Sequence, residues 1–248
     1  MGVVTDAAHV DVERGTLRGR PRVVIRRMLL TILRIVINMR LVHVERVPRS
    51  GAVLVVANHL HNADPALISA AFPRPVHFMA KKEAFHVPVL PWLLRTAGAF
   101  PVDRGKADRS AIRRALLVLE RGIAVGMFPE GTRSKTRSLQ RAHAGAGLIA
   151  VTAGVPILPI AITGTERMPL NGAKGKAVAS LLTPEPVHEG VRVLFGETFT
   201  IPREIDGRRV TAAEATEIIM VEIARLLPSD YRGVYAETLD NELLRRAR

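Results

Sequence analysis

The chain has 248 residues, room for one large domain with a substantial core, and carries a net charge of +13 with a pI near 11.2. It contains no cysteine, which excludes disulfides, a thiol nucleophile and cysteine-based metal sites. Although 48% of the residues are hydrophobic, no uninterrupted apolar stretch reaches the roughly 18 residues of a membrane-spanning helix, and no secretory signal layout is read at the start.

Such a surplus of positive charge calls for an anionic partner, either nucleic acid or anionic lipid. Aromatic residues make up only 4% of the chain, which leaves few platforms for stacking single strands. No zinc-finger, ribonucleoprotein or basic-zipper pattern is found, so no nucleic-acid partner is expected. The placement of the charge points to lipid. After a weakly ordered stretch over residues 1–19, the segment Arg14–Arg49 holds ten arginines against a single acid, Glu45. Within it Val24, Ile25, Met28, Leu29, Ile32, Ile35, Val36 and Met39 share one helical face. This predicts a basic amphipathic helix lying in a membrane interface, with a helix packed on the core as the alternative.

Leu41–Val47 alternates and predicts a strand ended by Pro48-Arg49-Ser50-Gly51. Ala52–Val56 is an apolar run, read as a buried strand, and Pro65–Phe72 follows as a helix with Asp64 at its N-cap. Further along come a strand at Val76–Ala80, an apolar helix at Val87–Thr96 carrying Trp92, and a brief strand at Phe100–Val102. Ser110–Arg121 is an amphipathic helix with Ile112, Leu116 and Leu119 inward, and Ala124–Phe128 the next strand. Gly145–Ala153 is a small-residue helix, Ile157–Ile162 and Val191–Phe195 are strands, and Thr211–Leu227 is a capped helix. Pro169–Gly190 reads as a loop, and Pro228 opens a charged tail expected to be peripheral. Strands alternating with helices predict an α/β fold with a largely parallel central sheet flanked by helices. The expected division is residues 1–40 as basic tail and interfacial helix, 41–227 as the main domain, and 228–248 as a tail.

The chemistry lies where two of these strands end. In Asn58-His59-Leu60-His61-Asn62-Ala63-Asp64 a histidine precedes an aspartate by five residues, so a base with an orienting carboxylate sits at a strand end. His61 is a rival base, and Asp64 also fits a plain helix cap. A second segment, Phe128-Pro129-Glu130-Gly131-Thr132-Arg133-Ser134, again leads from an apolar stretch into polar residues. His77, His86 and His143 are too scattered to suggest a metal site.

Taken in order with Gly98-Ala99-Phe100-Pro101-Val102-Asp103-Arg104 and Val155-Pro156-Ile157-Leu158-Pro159-Ile160, these segments resemble the four motifs of PlsC-like glycerolipid acyltransferases, from about Val44 to Phe199. The resemblance implies transfer of a fatty acyl group from acyl-CoA or acyl-carrier protein to lysophosphatidic acid, giving phosphatidic acid, without metal or cofactor. It implies His59 as base and Asp64 as its orienting partner, with direct attack by the acceptor hydroxyl and no acyl-enzyme. The acceptor phosphate falls to Arg104, to Gly131, Thr132 and Arg133, and to Lys81, with Lys82 as its rival; Glu130 is expected to hold an arginine or the acceptor glycerol. One departure concerns the lysine often found before the glycine-rich helix, for which Arg141 or His143 stands in. The expected location is the cytoplasmic face of the cell membrane, peripherally bound to an anionic surface. The alternatives are another lysophospholipid or glycerol 3-phosphate as acceptor, or an inactive basic protein that binds membrane or nucleic acid.

Overall fold

The computed structural model of the protein describes residues 20–81, 100–102, 109–168, 190–205 and 207–239. In chain order its strands are β1 (Arg40–Val42), β2 (Val53–Ala57), β3 (Val76–Lys81), β4 (Phe100–Val102), β5 (Ala124–Met127), β6 (Ile157–Thr163), β7 (Arg192–Phe195) and the small hairpin β8 (Glu204–Ile205) and β9 (Arg208–Arg209). The longer helices are α1 (Arg20–Ile37), α2 (Asp64–Ala71), α3 (Arg109–Glu120), α4 (Gly145–Ala153) and α5 (Ala212–Leu226). Among the described residues one seven-stranded sheet has the order β1-β7-β6-β2-β5-β3-β4. Every pairing in it is parallel except β6 with β7. The expected α/β architecture with a largely parallel sheet is what forms.

β2 lies between β5 and β6, and all five of its residues are buried. An unbroken apolar run suits a strand covered on both faces, because alternate side chains then meet core on either side. Val53, Val55 and Ala57 join Leu158, Ile160 and Ile162 under α1 and α2, with Met39, Leu67, Ile68 and Phe72. Leu54 and Val56 point the other way, into the core built by α3, α4 and α5. Pro159 stands inside β6 without breaking it. Its carbonyl accepts from Gly196 N at 2.9 Å, just past the last residue of β7, so its missing N–H faces the place where that strand has ended.

α1 forms over the expected segment, but a different stripe seats it. Leu30 is buried, Leu33 and Ile37 are half-buried, and the Arg26 guanidinium donates to Ala71 O at 2.6 Å, at the end of α2. A cation at a helix C-terminus meets its unpaired carbonyls and the negative end of its dipole. Val24, Ile25, Met28, Leu29, Ile32, Ile35 and Val36, the expected apolar face, stay exposed. Met39, assigned to that face, lies past the helix end and is buried.

Two further expectations are corrected and one is sharpened. The strand over Leu41–Val47 stops at Val42, because His43 turns left-handed (φ 60°) and a 3-10 turn follows over Val44–Arg46. In α3 Ile112, Leu116 and Leu119 face the core as expected, but the deepest positions are Ala111, Ala115, Val118 and Leu119, since small side chains let the helix approach the sheet. Residues 228–239 are no peripheral tail: Tyr231, Tyr235 and Leu239 are buried in the same core as α5. The Tyr231 hydroxyl donates to Glu166 Oε1 at 2.6 Å. Residues 1–19, the helix expected over Val87–Thr96 and the loop over residues 169–189 lie outside the described residues.

α5 starts with the expected cap, a capping box between Thr211 and Glu214. It meets α4 at Gly147, whose N–H donates to Thr216 Oγ1 at 3.0 Å. A Cβ at Gly147 would lie 2.6 Å from that hydroxyl oxygen and 2.7 Å from Thr216 N. Gly147→Ala is therefore expected to drive the helices apart and cost about 1–3 kcal/mol, read as a lower denaturant midpoint. An unchanged midpoint would show that the two helices can separate at no cost.

Candidate active site

β2 ends at Ala57, and Asn58 carries its pairing one step further with a side chain. The Asn58 amide donates to Ile162 O and accepts from Ile162 N, both at 2.8 Å. This buried clasp sets the exit of the strand. His59 follows at once, at the carboxyl edge where open parallel sheets place their sites.

Asp64 does not cap α2 as expected; the helix begins at Asp64 itself, without a side-chain cap from Ala63. Its carboxylate turns back into the preceding loop. Oδ2 lies 2.9 Å from His59 Nδ1 and accepts from Leu60 N and His61 N, each at 2.7 Å. His59 and Asp64 are both buried, at 3% and 0% exposure, so these bonds are shielded from water. A proton on Nδ1, shared with this carboxylate, would leave the lone pair on Nε2, the tautomer a general base requires. Oδ1 of Asp64 is buried without a partner, so one oxygen carries the whole constraint. The rival histidine is part of the scaffold: His61 Nδ1 accepts from Ala63 N at 2.9 Å.

The second loop is fastened to the first by Glu130, which is 2% exposed. Its Oε1 accepts from His59 N at 3.0 Å and its Oε2 from Gln140 N at 2.9 Å. Where an arginine or the acceptor glycerol is expected at Glu130, each oxygen accepts from a backbone N–H, and the side chain ties two loops together. Burial pushes its carboxyl up to about 7; the two backbone N–H donors oppose this, and the nearby Asp64 charge adds to it. Ser134 N closes the same junction by donating to His59 O at 2.7 Å.

Gly131 adopts φ 67°, and a Cβ there would stand 2.9 Å from the His143 ring, so both backbone and space require glycine. His143 thus sits over the Glu130–Thr132 turn. Arg141, the other stand-in for the lysine, lines a separate cavity of about 430 Å³ with Glu217 and Tyr235. Thr132 is exposed and Arg133 half-buried. Lys81 ends β3, in register with Val102, but its side chain and the whole of Arg104 lie outside the described residues. Residues 139–142, which carry the Gln140 donor, are held from below: Leu139 N donates to Tyr231 O at 2.9 Å and Ala142 N to Tyr235 Oη at 3.2 Å.

The Acyltransferase family model matches residues 38–163, just over half of the chain, and the chain belongs to this family. The resemblance carried by the four motifs is thereby borne out. The 1-acyl-sn-glycerol-3-phosphate acyltransferase of Bacillus subtilis (strain 168) is 33% identical over 147 residues, covering 58% of this chain and 71% of that one. The chloroplastic 1-acyl-sn-glycerol-3-phosphate acyltransferase BAT2 of Brassica napus is 31% identical over 134 residues, covering 53% and 39%. The chain thus spans well under half of the plant relative's length. Its fold is like that in the crystal structure of the 1-acyl-sn-glycerophosphate (LPA) acyltransferase PlsC from Thermotoga maritima: the TM-score is 0.60 at 23% identity, over 85% of this chain and 83% of that one.

The raised Glu130 carboxyl makes stability depend on pH. Because the folded chain holds its proton more tightly than the unfolded one, its contribution is whole below about pH 4.5 and is lost as pH rises through about 7. The swing amounts to up to about 3 kcal/mol. Urea midpoints of wild type and Glu130→Gln across this window are the check. The wild type is expected to lose stability relative to the variant as pH rises; parallel curves would show that the proton is not retained.

Proposed function

We propose that this protein moves a fatty acyl group from a thioester, acyl-CoA or acyl-carrier protein, to the hydroxyl of lysophosphatidic acid, giving phosphatidic acid. The observation that carries the reading is the buried contact between His59 Nδ1 and Asp64 Oδ2, 2.9 Å long and reinforced by two backbone N–H groups on the same oxygen. The names of the relatives supply the substrate class.

In this reading His59 Nε2 takes the acceptor hydroxyl's proton as its oxygen attacks the thioester carbonyl. The tetrahedral intermediate collapses, the carbon–sulfur bond breaks, and the imidazolium returns the proton to the departing thiolate. Asp64 keeps the tautomer and steadies the imidazolium. No acyl-enzyme is needed, because the acceptor is itself the nucleophile; Ser134, in the adjoining loop, donates its hydroxyl to Ser138 O at 2.7 Å. Arg104, Arg133 and Lys81, with the Gly131-Thr132 backbone, hold the acceptor phosphate.

The lysophospholipid acceptor resides in a bilayer, and α1 offers the means of reaching it. Its eight exposed apolar residues, the seven named above and Val23, lie beside exposed Arg27 and Arg34, the pattern of a helix that beds into an anionic leaflet. Among the described residues no helix is long and apolar enough to cross a membrane. In this reading α1 binds the membrane peripherally, and the acyltransferase domain runs from residue 41 through the packed residues up to Leu239.

Thiol release from palmitoyl-CoA, with and without lysophosphatidic acid, tests the chemistry. His59→Ala is expected to lower kcat by roughly 10²–10⁴, and wild-type turnover in that variant would end the base assignment. Asp64→Asn keeps an oxygen for the Leu60 and His61 N–H groups, so the fold survives while activity falls by about 10⁴. For the membrane, wild type is expected to sediment with anionic but not neutral liposomes, less so at high salt. Ile32→Glu with Ile35→Glu should abolish sedimentation; persistence would show that another surface binds.

A further inference from the structure

Asp64 grips the His59 imidazole by its edge; what lies against its face is carbon. The ring stacks on Phe128, with centroids 4.0 Å apart and planes at 16°. Phe128 in turn lies against Phe78, with centroids 5.5 Å apart and planes at 24°. Both phenylalanines are buried.

This three-ring column depends on a missing side chain. Phe78 of β3 stands directly opposite Gly126 of β5 in the parallel register. A Cβ on Gly126 would fall 2.6–2.8 Å from three atoms of the Phe78 ring. Gly126 is not among the positive-φ glycines, so space is what it supplies there. Phe128 comes two residues later and so leaves the strand end on the same side. Alternate positions of one segment therefore make room for one ring and place the next beneath the histidine.

A general base gains a proton in the transition state, and an imidazolium over an aromatic face is attracted by the ring's quadrupole, more so where water is excluded. An aliphatic side chain would fill the same volume without offering that face. We propose that Phe128 is a positioning residue for His59, with Phe78 behind it and Gly126 making room. The column sets the plane of the imidazole and steadies the imidazolium formed when the acceptor's proton arrives. The inference rests on His59 being the base.

The test uses the full chain and the thiol-release assay. Phe128→Leu is expected to lower kcat about tenfold, with KM for lysophosphatidic acid within about twofold of wild type. The acidic limb of the kcat/KM profile, which reports the free base, moves to lower pH. Phe128→Tyr restores the ring face and with it both quantities. Gly126→Ala forces the Phe78 ring into Phe128 and reproduces the kcat loss in milder form; it carries the test should Phe128→Leu not fold. Unchanged kcat and pH profile in Phe128→Leu, or in a folded Gly126→Ala, overturn the proposal. So does a raised acceptor KM with kcat intact, which assigns Phe128 to substrate binding, and so does equal loss in the Leu and Tyr variants. His59→Ala measured alongside separates the two readings: if it retains turnover, the base assignment fails whatever Phe128 does.

Discussion

One carboxylate oxygen organises the carboxyl edge of the sheet in this protein. Asp64 Oδ2 accepts from an imidazole and from two consecutive backbone N–H groups, and the five residues before it can satisfy all three only by wrapping around it. The loop's shape and the ring's orientation are therefore consequences of the same bonds. With one oxygen shared among three donors, none of them can turn away without breaking the geometry of the other two.

The surroundings add constraints of other kinds to this one. Asn58 extends the β2–β6 ladder through a side chain, Glu130 binds the His59 N–H, and Ser134 binds its carbonyl. His59 is thus held through its own backbone as well as through its ring. Two buried carboxylates share the site with different duties. Asp64 gathers its donors on one oxygen close to the ring, whereas Glu130 spreads one donor to each oxygen and bridges segments far apart in sequence. The negative charge of the first also discourages ionisation of the second.

What could be read from the sequence was whatever a short stretch of chain determines. The apolar run of β2, the small-residue helix α4 and the Thr211–Glu214 box each declare themselves locally and formed where expected. The spacing of His59 and Asp64 left His61 and a plain helix cap as rivals, and it was the resemblance of the four ordered motifs that singled the pair out. The direction in which Asp64 points was not legible, since an aspartate before a proline suits a helix cap and a reach back equally well. The loop-tying role of Glu130 was not legible for a related reason: its partners, His59 N and Gln140 N, are backbone groups that no side-chain pattern announces. The meeting of Phe78 with Gly126 needs the strand register, and the burial of Tyr231 and Tyr235 needs the whole tertiary fold. α1 is the reverse case. Its apolar face was plain in the sequence, and only the structure shows that the core uses Leu30, Leu33 and Ile37 instead.

The bonds at the site differ widely in span, and this orders their assembly. Those around Asp64 join residues three to five positions apart, and Glu130 reaches back 71 positions to His59. The segment that carries Gln140 waits longer, because Ala142 is held by Tyr235, 93 positions on, and the Asn58 clasp on Ile162 spans 104. Short closures form fast, while contacts between distant stretches come late. A chain refolding from the unfolded state should therefore build the His59–Asp64 turn early and lock the neighbouring loop and the Asn58 clasp late. Recovery of catalysis would then lag behind recovery of the sheet.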